Sequence, residues 1–170
     1  GAIIFYVFVY TVGLKRRTSQ NIVWGGIAGC FPVLIGWAAI TNSLSWTSFY
    51  FFLVVFFWTP PHFWALAIKY REDYSAAGIP MLPSVAPIKE VAKQMWFHTI
   101  AMFVTSFLTL WSLSAPNWSY VVTAILGLFF GLLMRGITGE NGEKVALRVF
   151  HGSITYLSLY SILLVVVAFA

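Results

Sequence analysis

Proline, histidine and charged residues gather in one stretch of an otherwise apolar chain. Trp58 to Trp64 contains Thr59, Pro60, Pro61 and His62; Lys69 to Tyr74 carries Arg71, Glu72 and Asp73; Gly78 to Pro83 adds Pro80. Ionisable groups at the end of a membrane span cost several kcal/mol unless paired or solvated, so this stretch is where chemistry is expected. On one continuous helix, His62, Lys69 and Asp73 are seven and four residues apart and fall on one stripe about 16 Å long. A carboxylate and an ammonium then sit at an aqueous mouth, with an imidazole deeper in. Pro60 and Pro61 remove two backbone donors and orphan the carbonyls of Phe56 and Phe57, so the helix is expected to kink or unwind where it lines a cavity.

Two neighbouring segments complete this chemistry. Glu72 and Asp73 are carboxylates of the kind that hold Mg²⁺ through one or two ligands plus substrate phosphates. Upstream, Tyr10, Lys15, Arg16, Thr18 and Asn21 admit two readings. One is a positively charged anchor with Asn21 capping the next helix; the other is a cationic cradle for a diphosphate near a helix start. The run from Gly78 to Pro83, with Pro87, is rich in proline and apolar, and is expected to lie over the mouth as a non-helical lid.

The elements that must position these groups are transmembrane. The chain is 60% hydrophobic and 9% charged, with a mean hydropathy of +0.85. All ten Lys and Arg and all five Asp and Glu fall between Lys15 and Arg17, Lys69 and Lys93, or Arg135 and Arg148. Each uncharged interval can cross a bilayer twice at about 20 apolar residues per crossing. The expected architecture is an all-α polytopic bundle in one domain over 1–170. It has a partial span at 2–14 and five full spans near 22–41, 46–69, 93–115, 119–137 and 147–169. The short first span implies that earlier spans are missing from this sequence. The charged segments are expected to be cytoplasmic, so the net charge of +5 reports topology and gives no support for nucleic-acid binding.

Other features have packing roles. Gly25, Ala28, Gly29 and Gly36, and the pair Gly127 and Gly131, let helices approach closely. Cys30 is the single cysteine and forms no internal disulfide. Arg135 to Lys144 reads as a connection, Arg148 and His151 as weak cavity candidates, and His98 as an interface residue.

Taken together, Tyr10, Lys15, Arg16, Thr18 and Asn21, then Pro61 and His62, then Arg71, Asp73, Tyr74 and Gly78 to Pro83 resemble the protohaem IX farnesyltransferase branch of the intramembrane aromatic prenyltransferase superfamily. The resemblance runs over essentially the whole chain. It implies a nine-span bundle that moves a farnesyl group from farnesyl diphosphate to a vinyl group of haem b, giving haem O for terminal oxidases. It implies catalytic roles for Asp73, His62 and Lys69, substrate contacts from Tyr10, Lys15, Arg16, Asn21, Arg71 and Tyr74, and Mg²⁺ held by Asp73 through the diphosphate. A partner acidic motif is expected upstream of Gly1, so the chain alone is expected to be inactive. Lys69 stands where the superfamily's paired-aspartate form has a carboxylate, a departure shared with the haem branch.

The chemistry suits the residues. Lys15, Arg16, Lys69 and Arg71 would stabilise a leaving diphosphate, while Tyr10, Phe63, Trp64 and Tyr70 would flank an allylic cation. The expected setting is the bacterial cell membrane, with the bilayer as partner and a contact with haem A synthase or the oxidase assembly. Two alternatives are a prenyltransferase with a quinone or chlorin acceptor and a transporter fragment. A transporter should show a repeat or an opposed pair of broken helices.

Overall fold

The computed structural model describes residues 2–14 and 17–170; Lys15 and Arg16 lie outside the described residues. The described chain begins as α1 (Ala2–Ile4), which continues as a π-helix over Phe5–Leu14. Then follow α2 (Asn21–Thr41), α3 (Trp46–Lys69), the short α4 (Arg71–Ala76) and α5 (Leu82–Val85), and then α6 (Ile88–Ser112), α7 (Asn117–Leu133) and α8 (Gly142–Ala168). Four of these, α2, α3, α6 and α8, are long and apolar enough to cross a membrane. The five expected full spans therefore become four and a shorter one. With 17 residues, α7 covers about 26 Å and falls short of a ~30 Å hydrocarbon core. It ends at Leu133, just before Arg135 and Gly136, whose positive φ of 83° turns the chain away.

Helix α3 is the centre, packed against α2, α6 and α8. Its start is fixed by a reciprocal cap: the Ser45 hydroxyl accepts from the Ser48 N–H, and the Ser48 hydroxyl accepts from the Ser45 N–H, each at 3.2 Å. Of the two outcomes expected at Pro60 and Pro61, a kink or an unwound turn, the unwound turn does not occur, since the helix runs on through both. Both prolines are buried, so protein covers the turn in which two backbone bonds are lost. With this helix continuous, the described residues form no opposed pair of broken helices of the kind expected of a transporter.

The two kinds of connection sort to opposite ends. At one end the uncharged turns meet, where the Ser112 hydroxyl donates to the Thr47 hydroxyl at 3.0 Å and Trp46 and Trp111 stay exposed, as interfacial aromatics do. At the other end the charged segments converge. Helices α6 and α8 start earlier than their apolar stretches do, because Glu90 and Glu143 sit in their first turns and favour the positive helix end.

Helices α6 and α8 are also joined by a buried polar chain. The Ser106 hydroxyl donates to the Met102 carbonyl at 2.8 Å and so accepts from the Tyr156 hydroxyl at 2.9 Å; the Tyr160 hydroxyl donates to the Ser106 carbonyl at 2.8 Å. Interhelical bonds of this kind in membranes contribute about 0.6 kcal/mol on average. Tyr160→Phe is therefore expected to destabilise the folded protein by about 1 kcal/mol. Denaturant unfolding in micelles would measure it, and an unchanged midpoint would remove this bond from the account.

The small residues divide by role. A Cβ at Gly25 would meet the Tyr10 ring at 2.6 Å, and one at Gly26 would meet Thr59 Cγ2 at 3.1 Å, so both permit close packing. Gly29 differs, since a Cβ there meets nothing within 4 Å. Gly127 and Gly131 face Phe103 and Trp96 of α6.

Candidate functional site

The converging charged ends form a polar cleft of about 510 Å³. Lys69 comes from the last turn of α3, Arg71, Glu72 and Asp73 from the first turn of α4, and Glu140 and Glu143 from the loop before α8 and its start. Lys69 Nζ lies 3.5 Å from Glu143 Oε2 in a half-exposed ion pair across the cleft. Exposed pairs of this kind contribute little to stability, so an anionic ligand can displace Glu143 at small cost.

Helix α3 ends at Lys69, and Tyr70 has non-helical torsions (φ −105°, ψ 32°). Asp73 therefore belongs to α4, and the single stripe of His62, Lys69 and Asp73 is corrected to two parts. His62 and Lys69 keep a common face, because both meet α8, through Ser153 and Glu143. Asp73 reaches the cleft from a separate helix.

His62 is buried, with its ring between the Trp58 ring at 4.3 Å (18° between planes) and the Phe150 ring at 4.6 Å (25°). Its Nδ1 lies 2.8 Å from the Ser153 hydroxyl, and the Trp58 indole N–H donates to the Ser153 carbonyl at 2.7 Å. An apolar cavity of about 450 Å³ lies between the π-helix, α2 and α3, lined by Tyr10, Gly25, Gly29, Trp58, Thr59 and Phe63 among others; His62 does not line it but stacks on Trp58, which does. Gly29 keeps this space open.

The remaining candidates scatter. Tyr74 packs against the core and does not line the cleft. Asn21 is the first residue of α2 and not its cap, which is Gln20; it is buried, with its amide donating to the Pro80 carbonyl at 3.5 Å. Trp64 is fully buried and meets His98 edge-on, so it does not flank either cavity, whereas Tyr10 and Phe63 line the apolar one and Tyr70 the cleft. Arg148 and His151 are exposed and line neither. His98 is buried against Phe57 and Trp64, with its Nδ1 on the Gln94 carbonyl at 2.8 Å.

The run expected to be a non-helical lid over the mouth is packed down and partly helical, and none of Gly78 to Pro83 lines the cleft. Met81 and Leu82 are buried, Leu82–Val85 is a helical turn, and Pro83 sits in its first two positions, where no N–H is needed. Gly78 makes the preceding bend with a φ of 65°.

Three contributors were invisible to sequence reasoning. Glu143 stood in a stretch read as a connection, and Phe150 and Ser153 were ordinary helix residues. Only the antiparallel pairing of α3 with α8 brings them to Lys69 and His62. Among the described residues, no group of three or more His, Cys, Asp or Glu converges on a point, so they do not by themselves enclose a metal ion.

An apolar helical bundle with a cationic and acidic cleft at one end and an apolar cavity within its span is the build of an integral membrane protein. The chain belongs to the UbiA prenyltransferase family, whose profile matches residues 1–158. It is 51% identical to the protoheme IX farnesyltransferase of Frankia alni over 99% of this chain and 59% of that protein. It is 50% identical to that of Pseudarthrobacter chlorophenolicus (98% and 54%) and 51% identical to that of Streptomyces coelicolor (94% and 52%). The chain thus spans little more than half the length of these curated relatives. No solved structure matches it.

Proposed function

We propose that the gene product carrying this chain transfers a farnesyl group from farnesyl diphosphate to a vinyl group of haem b, forming haem O. The observation that carries the proposal is the cleft, which gathers Lys69, Arg71 and Asp73 at the charged end of an apolar bundle. The names of relatives about half identical over nearly the whole chain support it.

In this reading the diphosphate sits in the cleft, where Lys69 exchanges Glu143 for phosphate oxygens and Arg71 adds a second cation. Their charge stabilises the anion that develops as the allylic C–O bond breaks. When bound, Mg²⁺ would supply further positive charge between Asp73 and the phosphates. The prenyl chain extends into apolar surroundings, where water meets the allylic carbon less readily than the vinyl group does. Tyr10 and Phe63 offer π faces to the cation. Bonding at the vinyl group leaves positive charge on the adjoining carbon, and capture of that carbon by water requires a proton acceptor. His62 serves the haem side, either as a ligand to its iron or as that acceptor. The charged end faces the cytoplasm of a bacterial cell, and haem A synthase or the oxidase assembly receives the product.

Membranes containing the gene product, incubated with haem b and farnesyl diphosphate, should yield haem O in the extracted haems. Unaltered haem b, or farnesyl transfer to a quinone instead, would overturn the proposal.

A further inference from the structure

The hydroxyl of Ser153 has one proton and two close neighbours. Its Oγ lies 2.6 Å from the Phe150 carbonyl oxygen and 2.8 Å from His62 Nδ1. Two oxygens at 2.6 Å repel unless a proton lies between them, and the carbonyl has none to give. The serine proton therefore goes to Phe150, and the serine oxygen must accept from the ring. That puts the imidazole proton on Nδ1 and leaves the lone pair on Nε2.

The same residue fixes the ring's setting. Trp58 and Phe150 cover both faces of His62, and the Ser153 carbonyl holds the Trp58 indole at 2.7 Å. Rotation about the ring axis would break the Nδ1 bond, and tilting is blocked by the stack. Nε2 is not one of the buried side-chain nitrogens left without a partner among the described residues, and the Phe150 carbonyl that takes the serine proton also lies within hydrogen-bond reach of the His62 ring. Ser153 itself is fully buried, so it cannot contact substrate in place of His62.

We propose that Ser153 is a positioning residue that locks His62 in the Nδ1–H tautomer and presents the Nε2 lone pair to the acceptor. Both roles open to His62, ligand and proton acceptor, need that lone pair. The catalytic part rests on the farnesyl-transfer reading; the tautomer does not.

The test uses ¹⁵N-histidine-labelled whole gene product in nanodiscs, where ring nitrogen shifts report which nitrogen carries the proton. Loss of its signals in His62→Gln identifies His62. His98 and His151, whose Nδ1 atoms lie 2.8 Å from the Gln94 and Leu147 carbonyls, serve as internal references. In the unsubstituted protein His62 should be protonated at Nδ1. Ser153→Ala should move His62 alone toward the other tautomer and lower haem O formation by about 10–100-fold, the usual cost of losing the partner that orients a ligating or reacting histidine. Ser153→Thr, which keeps the hydroxyl, should restore both. A His62 protonated at Nε2 in the unsubstituted protein, or a tautomer unmoved by Ser153→Ala, would overturn the proposal. A shifted tautomer with unchanged turnover would overturn the positioning role and leave farnesyl transfer standing. Absence of haem O from the unsubstituted protein would instead fail the functional reading, with the tautomer result still deciding whether Ser153 sets the ring.

Discussion

Asp73→Asn in the gene product carrying this chain should lower turnover about a hundredfold or more while changing haem affinity by less than about twofold. The side chain is exposed in the first turn of α4 and lines the cleft with Lys69 and Arg71. Asparagine keeps its volume and one acceptor oxygen, so the fold should tolerate the change; the lost helix-end interaction is worth at most about 1 kcal/mol. A carboxylate facing a diphosphate is repulsive by itself, so Asp73 can assist departure only through a cation placed between them. The variant should therefore also need more Mg²⁺ to reach half its own maximal rate. Steady-state farnesyl transfer across a Mg²⁺ series, beside haem titrations followed by absorbance, reads both effects. Unaltered kinetics would remove Asp73 from the diphosphate site.

His62→Ala should abolish haem O formation and weaken haem binding at least about tenfold, since it removes the imidazole assigned to the haem side. The gap it leaves between Trp58 and Phe150 adds a stability cost of about 1–3 kcal/mol, to be measured separately by unfolding in micelles. His62→Gln limits that gap and still lacks an imidazole lone pair. Both variants should fail alike if the imidazole does the chemistry. Haem binding and haem O formation at unsubstituted levels in either would exclude His62 from the acceptor side.

How much of this was legible beforehand depended on the size of the energies involved. Charge is so costly in hydrocarbon that fifteen charged residues confined to three segments announced the topology, and the structure gathers the second and third at one end. The same cost marked Lys69, Arg71 and Asp73. What escaped was decided by packing between distant segments. Nothing at Tyr70 resembles a helix stop, since neither glycine nor proline stands there, yet α3 ends and Asp73 leaves the stripe. Pro60 and Pro61 carry a strong local signal for disruption, but burial against the neighbouring helices overrides it. Glu143 and Ser153 acquire meaning only opposite Lys69 and His62, ten residues apart on a helix that runs the other way.

The unbroken course of α3 through its two prolines makes the helix a spacer of fixed length and phase. His62 and Lys69 are seven residues apart on it, a rise of about 10 Å in almost two full turns. An unwound segment would have let the two ends drift, with the separation adapting to whatever prenyl donor bound. A continuous one fixes the distance between Lys69 and His62 along the helix. One residue added between them would turn Lys69 away from α8 by about 100° while moving it only about 1.5 Å, so it is the angular register, more than the length, that this rod keeps.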